Sequence, residues 1–403
     1  MSRRPRILFA VTAAISCGFY RRKLANLRDA GFDVLMMSSP GEQLETISKS
    51  EGAIPVALAM EREISPIKDL VSLWRFYRVL KEIKPDLVDV STPKAGLLGS
   101  LAAILARVPC RVYTLRGLRL ETATGLRRTL LWVAEWISCA CAQRVMPVSE
   151  SLRQRVVELK LASRAKTDTL QHGSDGVDLT QFTPRKQDSW RYRALRQQLG
   201  LSGEEVVIGF VGRFVKDKGI RELVEAFREL GATRPNLRLL LVGDFETGDP
   251  VDPWVREYIE STSTILTPGF VEDTAPFFGL MDVFVLPTYR EGFPQVSLEA
   301  QASAVPVITT TATGAIESVV DGITGLLVPL GDSQALARAI AQLLADPLLR
   351  QKMGKAARER AEREFCQEAV WEALIRSYQA LLATAGRPPA IRDRGELEQL
   401  QSL

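Results

Sequence analysis

Along the chain, short apolar runs alternate with stretches whose hydrophobic positions recur every three to four residues. Runs at 7–11, 33–37, 87–90, 111–115 and 144–148 predict strands, and amphipathic patterns between them, clearest at 70–83 and 126–142, predict helices. Strands alternating with helices imply a parallel sheet. After a polar, turn-rich stretch at 173–188 the same grammar restarts: 206–211, 237–242, 283–287 and 305–309 predict strands. Ile220, Leu223, Val224 and Phe227 share one stripe of a helix at 220–230. The expectation is α/β, with two Rossmann-like domains at 1–184 and 185–365, their parallel sheets facing each other across a deep cleft. Open parallel sheets take ligands beyond the carboxyl ends of their strands, so that cleft is the expected site. A long helix is predicted at 355–383, with Trp371, Leu374, Tyr378 and Leu381 at helical spacing; its part at 366–384 is set apart from the second domain. Residues 385–403, with Pro388 and Pro389, read as a loosely ordered tail.

Composition narrows the possibilities. At 403 residues the chain exceeds the roughly 250–300 at which single cores stop growing, which agrees with two domains. The longest uninterrupted apolar run, at 95–106, would extend about 18 Å as a helix, short of a bilayer's ~30 Å core. No spanning segment is expected. The opening MSRRPRILFAVTAAISC resembles a signal peptide but reads as strand, loop and helix of the first domain. Five scattered cysteines without a Cys-x-x-Cys pair point to a reducing compartment. With His172 as the one histidine and no Asp-x-Asp pair, no metal site is expected, and phosphate chemistry would rest on other positive charge.

That charge is uneven: residues 1–184 carry a net +9 and the remainder a net −5. In the first half Arg21, Arg22, Lys23, Arg75, Arg78, Lys81, Lys84, Arg116, Arg119, Arg127 and Arg128 are interleaved with Leu, Trp, Phe and Tyr. The mixture suits anionic headgroups, and equally a solvated helix face. No aromatic RNA-binding motif or zinc finger is present, so nucleic acid is not expected as a partner.

Two segments carry candidate chemistry. In VVIGFVGRFVKDKG, Arg213 stands where a buried strand ends and Lys218 where a helix begins. A diphosphate there would gain charge-assisted hydrogen bonds and the positive end of the helix dipole. In VFVLPTYREGFPQVSLEA, Glu291 lies in a strand-to-helix loop and Glu299 eight residues on, with Gly292 offering close backbone approach and Pro294 a first-turn proline. Carboxylates accept well from vicinal hydroxyls, as of a sugar or a ribose. Taken alone, the first segment also reads as a surface Arg and Lys solvating a turn, and the second as two solvated charges around a helix start.

Together, Gly-x-x-Gly-Arg-x4-Lys-Gly at 209–219 and Glu-Gly-Phe-Pro-x4-Glu at 291–299 resemble glycosyltransferase family 4, retaining enzymes of the GT-B fold. STPKAGLLGSLAA, VSESLR, Gly-Val-Asp at 176–178 and DGITGLLVPLGD extend the resemblance over nearly the whole chain. It implies that Arg213 and Lys218 bind the nucleotide diphosphate, that Glu299 takes the ribose hydroxyls, and that Glu291 with the 292–294 backbone holds the donor sugar. Catalytic roles then fall to Arg213, Lys218 and Glu291, and donor binding to Gly18, Gly212, Phe270, Val271, Gly292, Phe293, Pro294, Gln295, Val296 and Glu299. The backbone at 270–271 would meet the base and the Cys17-Gly18 loop would close over the phosphates. Many relatives carry His-Gly where this chain has Arg116-Gly117, and many begin the STPKAG segment with His where Ser91 stands. Lys94, Arg116 and His172 remain as acceptor or phosphate contacts; for Lys94 the alternative is an exposed lysine, and for His172 a hydrogen-bonded loop residue.

The resemblance implies an enzyme moving a hexose or N-acetylhexosamine from a nucleotide sugar, UDP-linked by likeness, to a polyprenyl-diphosphate-linked glycan in surface polysaccharide assembly. It would need neither metal nor cofactor and would work in the cytoplasm, on the anionic inner membrane surface. The first domain would bind acceptor and the second the nucleotide sugar, with the final helix returning toward the first. A UDP-sugar 2-epimerase of the same fold and a non-catalytic nucleotide-sugar-binding subunit are the alternatives.

Overall fold

The computed structural model describes residues 3–61, 65–184 and 190–386. Contacts divide the chain into two units, 1–173 with 368–403, and 174–367. Residues 174–184, read from sequence as the end of the first domain, thus pack with the second.

In the first unit, β1 (Arg6–Ala10), β2 (Asp33–Ser38), β3 (Ile54–Ala57), β4 (Leu87–Ser91), β5 (Cys110–Leu115) and β6 (Arg144–Pro147) form one parallel sheet in the order β3-β2-β1-β4-β5-β6. The second unit repeats the plan with β7 (Val206–Val211), β8 (Leu237–Val242), β9 (Ile265–Gly269), β10 (Val283–Leu286), β11 (Val307–Thr310) and β12 (Gly325–Val328), ordered β12-β11-β10-β7-β8-β9 and again parallel. Each is the doubly wound order in which the chain reverses direction beside its first strand, leaving a crevice beyond the strand ends. Two α/β units with parallel sheets are therefore as the periodicity predicts.

Of the interior strands, β1, β2, β4, β10 and β11 are buried along their whole length and β5, β7 and β8 at most positions, which is why they read as largely apolar runs. The pattern missed β3, β9 and β12, and all three are sheet edges. An edge strand needs half the hydrogen bonds and half the apolar cover, so β3 and β9 tolerate Pro55 and Pro268.

Helices cover both faces of the first sheet. Pro66–Ile83, Pro93–Leu105, Gly125–Cys141 and Glu150–Glu158 contribute Phe76, Ala102, Cys139 and Leu152 to one core. Lys23–Asp29, Glu42–Glu51 and Gln367–Thr384 contribute Leu24, Leu44 and Tyr378 to the other. No helix among the described residues is long and apolar enough to cross a membrane.

The helix expected at 355–383 is two, Pro347–Glu364 and Gln367–Thr384. They break where the Val177 N–H donates to the Phe365 carbonyl at 2.8 Å, and there the chain passes back to the first unit. On returning, the Tyr378 hydroxyl donates to the buried Asp89 in the middle of β4, which also accepts from Thr114 Oγ1 at 2.8 and 2.9 Å. Burial lifts the Asp89 carboxyl to about 6 against these hydrogen bonds. Glu135, on the buried face of the helix Gly125–Cys141, is lifted by burial to about 7 while accepting from the Tyr113 hydroxyl at 2.7 Å.

A raised carboxyl favours folding in its protonated form. For Glu135 that contribution is fully present below 4.5 and lost as pH rises to about 7. Thermal melts should show the native chain losing stability across this window, and Glu135→Gln, which keeps an acceptor for Tyr113, should lose less. Parallel melting-temperature curves for the two would refute the assignment.

Candidate functional site

In the second unit the chain reverses between the neighbouring strands β7 and β10, and both predicted motifs lie just beyond their carboxyl ends. After β7, Gly212 at φ 149° turns the chain, and Phe214 and Val215 dip into the core. Lys216–Lys218 then form one 3-10 turn leading into the helix Ile220–Gly231. Gly219 takes φ 69°, and a Cβ there would lie 2.0 Å from the Pro287 carbonyl oxygen after β10. Only glycine lets the two loops approach this closely.

That approach sets the charges. Lys218 Nζ donates to the Glu291 carboxylate, and both side chains are mostly withdrawn from solvent. The Arg290 guanidinium pairs with Asp217, whose carbonyl accepts from the Tyr289 N–H at 2.9 Å and from Thr288 Oγ1 at 3.0 Å. Glu291 is held from the far side too: its N–H donates to the Thr313 carbonyl at 3.0 Å, and Gly314 lies where a Cβ would meet the Gly292 carbonyl oxygen at 2.3 Å. Arg213 is half exposed and pairs at 2.7 Å with Glu246, beyond β8. The two predicted cations thus have separate carboxylate partners.

Glu299 lies on the helix Gln295–Ala302, as predicted, with Pro294 as the capping residue before it rather than in its first turn. Burial raises its carboxyl to about 7, opposed by a hydrogen bond from the Thr274 hydroxyl. Thr274 ends the loop after β9 that carries Phe270, 63% exposed, and the half-buried Val271. Glu299 and the 270–271 backbone therefore belong to one locality. The Phe293 ring turns inward onto Phe365, centroids 5.5 Å apart. The Gln295 amide donates to the Gly176 carbonyl and accepts from the Ser174 hydroxyl, tying down the turn that opens this unit. Val296 is half-buried on the same helix.

In the first unit the predicted Cys17-Gly18 loop is a 3-10 helix, Ala14–Tyr20, with Cys17 buried and open space beside Gly18. Lys94 is not an exposed lysine: it is 11% exposed and paired with Asp69 at 2.7 Å. Arg116 donates through Nε to Ser91 Oγ at 2.9 Å and lies 4.6 Å from the Phe19 ring centroid. His172 sits in an exposed turn between Gln171 at φ 50° and Gly173 at φ 88°.

The motif reading missed Asp217, Arg290, Glu246, Thr274 and Thr313, which pair with or position the predicted residues. Asp217 and Arg290 adjoin predicted positions and were visible as charges; the others come from separate loops and gave no local signal. It also passed over Asp89, whose signal was an acidic residue inside the apolar run at 87–90.

Two family models match: "Glycosyl transferases group 1" over residues 192–360 and "Glycosyl transferase 4-like domain" over 19–173. The capsular polysaccharide biosynthesis glycosyltransferase CapM of Staphylococcus aureus is 37% identical over 378 residues, 94% of this chain and 97% of that protein. The UDP-Gal:alpha-D-GlcNAc-diphosphoundecaprenol alpha-1,3-galactosyltransferase of Escherichia coli is 29% identical, covering 72% of this chain and 74% of its own length. Among solved structures, Anabaena HepE in complex with UDP-glucose superposes with a TM-score of 0.77 at 20% identity, over 93% of this chain and 99% of that one.

Gly219→Ala should lower unfolding stability by at least ~2 kcal/mol, since left-handed backbone strain and a clash with main chain add. Gly231→Ala, where a Cβ meets nothing, should be neutral or mildly stabilising. Denaturant titration measures both, and equal midpoints would remove the close-approach account.

Proposed function

This chain belongs to the group 1 glycosyl transferases and has the GT-B fold, and from that premise we propose a retaining transfer of a hexose or N-acetylhexosamine from a UDP-sugar. The acceptor we propose is a polyprenyl-diphosphate-linked glycan, in capsule or related surface polysaccharide assembly. The observation that carries the reading is the Lys218–Glu291 pair at the reversal point between β7 and β10. It sets a cation and a sugar-hydroxyl acceptor side by side at the mouth of a parallel sheet.

In this reading the donor's anomeric C–O bond breaks as negative charge builds on the leaving diphosphate. Lys218 and Arg213 attract that charge more strongly as it grows, which lowers the barrier without a metal ion or cofactor. Both cations rest on carboxylates, so phosphate enters by taking over their donors from Glu291 and Glu246; a lysine, with three N–H groups, can keep Glu291 while gaining phosphate oxygen. Glu291 accepts from the donor sugar's hydroxyls, with the 292–294 backbone alongside and Thr313 and Gly314 holding it in place. Glu299 accepts the ribose hydroxyls next to the 270–271 backbone, and Gly212 gives the phosphates a side-chain-free approach. Same-face attack, with the leaving phosphate oxygen taking the acceptor's proton, accounts for retention. Lys94, Arg116 and His172 serve acceptor or phosphate contact, and Gly18 flanks the phosphates. The relative named for lipid-linked GlcNAc supports a lipid-linked acceptor, and HepE with UDP-glucose supports a UDP donor. The protein would work at the cytoplasmic face of an anionic membrane, drawn there by its basic first half.

A panel of labelled nucleotide sugars, scored for hydrolysis and for transfer to extracted lipid-linked glycans, tests the reading; release from none of them sinks it. Arg213→Ala and Lys218→Ala should each lower kcat at least ~100-fold, and near-native turnover in either contradicts its role.

Glu299 gives a pH signature. Its carboxyl is half ionised near 7 and only the ionised form accepts two hydroxyl donors, so calorimetry should find UDP bound roughly tenfold more weakly at pH 6 than at pH 8. Glu299→Gln should flatten that dependence. A wild-type affinity indifferent to pH would count against the ribose role.

A further inference from the structure

A helix that covers a sheet buries one face and shows water a polar one, and the helix Ile220–Gly231 of the second unit keeps to this: its exposed positions include Arg221, Arg228 and Glu229. The helix Gly125–Cys141 does not. It buries Glu135, Ser138 and Cys139, and on the opposite side Leu126, Leu130, Val133 and Trp136 are 76, 51, 40 and 45% exposed. At one turn per 3.6 residues these four fall within about 120° of the helix surface. The helix Pro66–Ile83 buries Phe76, Leu80 and Ile83 and yet also shows apolar side chains to water. Leu70 and Trp74 stand exposed on one stripe that continues into Arg78 and Lys81, with the Arg78 guanidinium 4.9 Å from the Trp74 ring centroid.

These helices lie in one layer, Pro66–Ile83 against Pro93–Leu105 and Pro93–Leu105 against Gly125–Cys141. More than half of the large apolar side chains exposed among the described residues sit on these three elements. So concentrated a patch marks an interaction surface. Its charge says which kind. Arg75, Arg78 and Lys81 lie on one of these helices and Arg127 and Arg128 on another, all exposed; of the nearby carboxylates Asp69 is paired with Lys94, Glu121 with Arg155 and Glu135 bonded beneath the layer to Tyr113, while Glu82 and Glu158 stay exposed, so the exposed charge is predominantly positive. A second copy of this layer would bring like charges together.

Where the helix Gly125–Cys141 ends, the stripe runs into a groove of about 460 Å³ lined by Trp136, Ala140, Val157 and Leu161, with Lys160 and Lys166 at its edge. The Trp136 ring is steadied by Trp132, stacked at 6.5 Å, whose Nε1 donates to the Leu159 carbonyl at 2.9 Å. Lys166 Nζ donates to the Ala140 carbonyl at 2.9 Å, which holds the amine beside the groove with N–H capacity left over.

We propose that this layer is where the protein lies on an anionic phospholipid bilayer, with the outer stripe of Gly125–Cys141 entering the headgroup–acyl boundary and one lipid phosphate seated between Lys160 and Lys166. The proposal rests on the membrane part of the reading above and adds the element that embeds and the groove that grips. Amphipathic surface helices bind in this manner, apolar side chains supplying depth and lysines supplying attraction.

The full chain is sedimented at low salt with phosphatidylcholine vesicles with and without phosphatidylglycerol, and tryptophan quenching by brominated lipid is read in parallel. The wild type should bind the anionic vesicles and be quenched. Leu130→Ser with Trp136→Ser should weaken binding at least about tenfold. Lys160→Gln with Lys166→Gln should weaken it roughly fivefold per lysine on anionic vesicles and leave the neutral ones unchanged. Ile323→Ser with Leu330→Ser, exposed apolar positions in the second unit, should bind as wild type; thermal melts confirm that all variants are folded. A wild type that binds anionic vesicles while both layer variants bind equally well overturns this proposal and leaves the membrane reading standing. A wild type that stays in solution removes both.

Discussion

The candidate site depends on how closely two loops can approach. Beyond β7 and β10 the main chain at 219 comes so near the Pro287 carbonyl that no side chain fits between them. This contact sets Lys218 against Glu291 and Asp217 against Arg290. Steric exclusion at one glycine is therefore upstream of the electrostatics. It also explains why a Lys-Gly pair rather than a lysine alone closes the first motif: the lysine supplies charge, and the glycine supplies the distance at which that charge is useful.

The first unit repeats the doubly wound plan but spends its polar groups differently. At its own reversal point, between β1 and β4, the hydroxyls of Thr12 and Thr92 meet at 2.8 Å. A buried hydrogen bond from Tyr378 to Asp89 joins β4 to a helix that arrives only after the chain has built the whole second unit. A carboxyl in the middle of a parallel strand is costly unless its oxygens are satisfied, and Thr114 and Tyr378 satisfy them. Residues nearly three hundred positions apart thereby become part of one core. Ser91 and Arg116, the two positions at which the chain departs from the family pattern it resembles, are bonded to one another.

The same unit pairs a well-satisfied interior with an outer helix layer that is apolar where water would favour charge. In the second unit the helix Ile220–Gly231, which also covers a sheet, carries arginine and glutamate at its exposed positions. The contrast lies within one chain and between helices doing the same structural job, so it reflects what each surface meets rather than a general feature of the composition.

From sequence alone, periodicity determined the α/β class, the succession of two parallel-sheet units and all the interior strands, because a strand covered on both faces must be predominantly apolar. It also placed Arg213 at a strand end, Lys218 at a helix start, Glu291 in a strand-to-helix loop and Glu299 on the helix that follows, since motif spacing is local. The edge strands β3, β9 and β12 escaped it, being short and half covered. So did the break at Phe365, which follows from a partner at Val177 far back in the chain. Only the tertiary structure decided which carboxylate each cation meets, that Lys94 is an inward ion pair, and that Asp89 has a tyrosine to hold its proton or its charge. Such pairings join loops remote in sequence, and the distance between loops is set by packing, which no local pattern encodes.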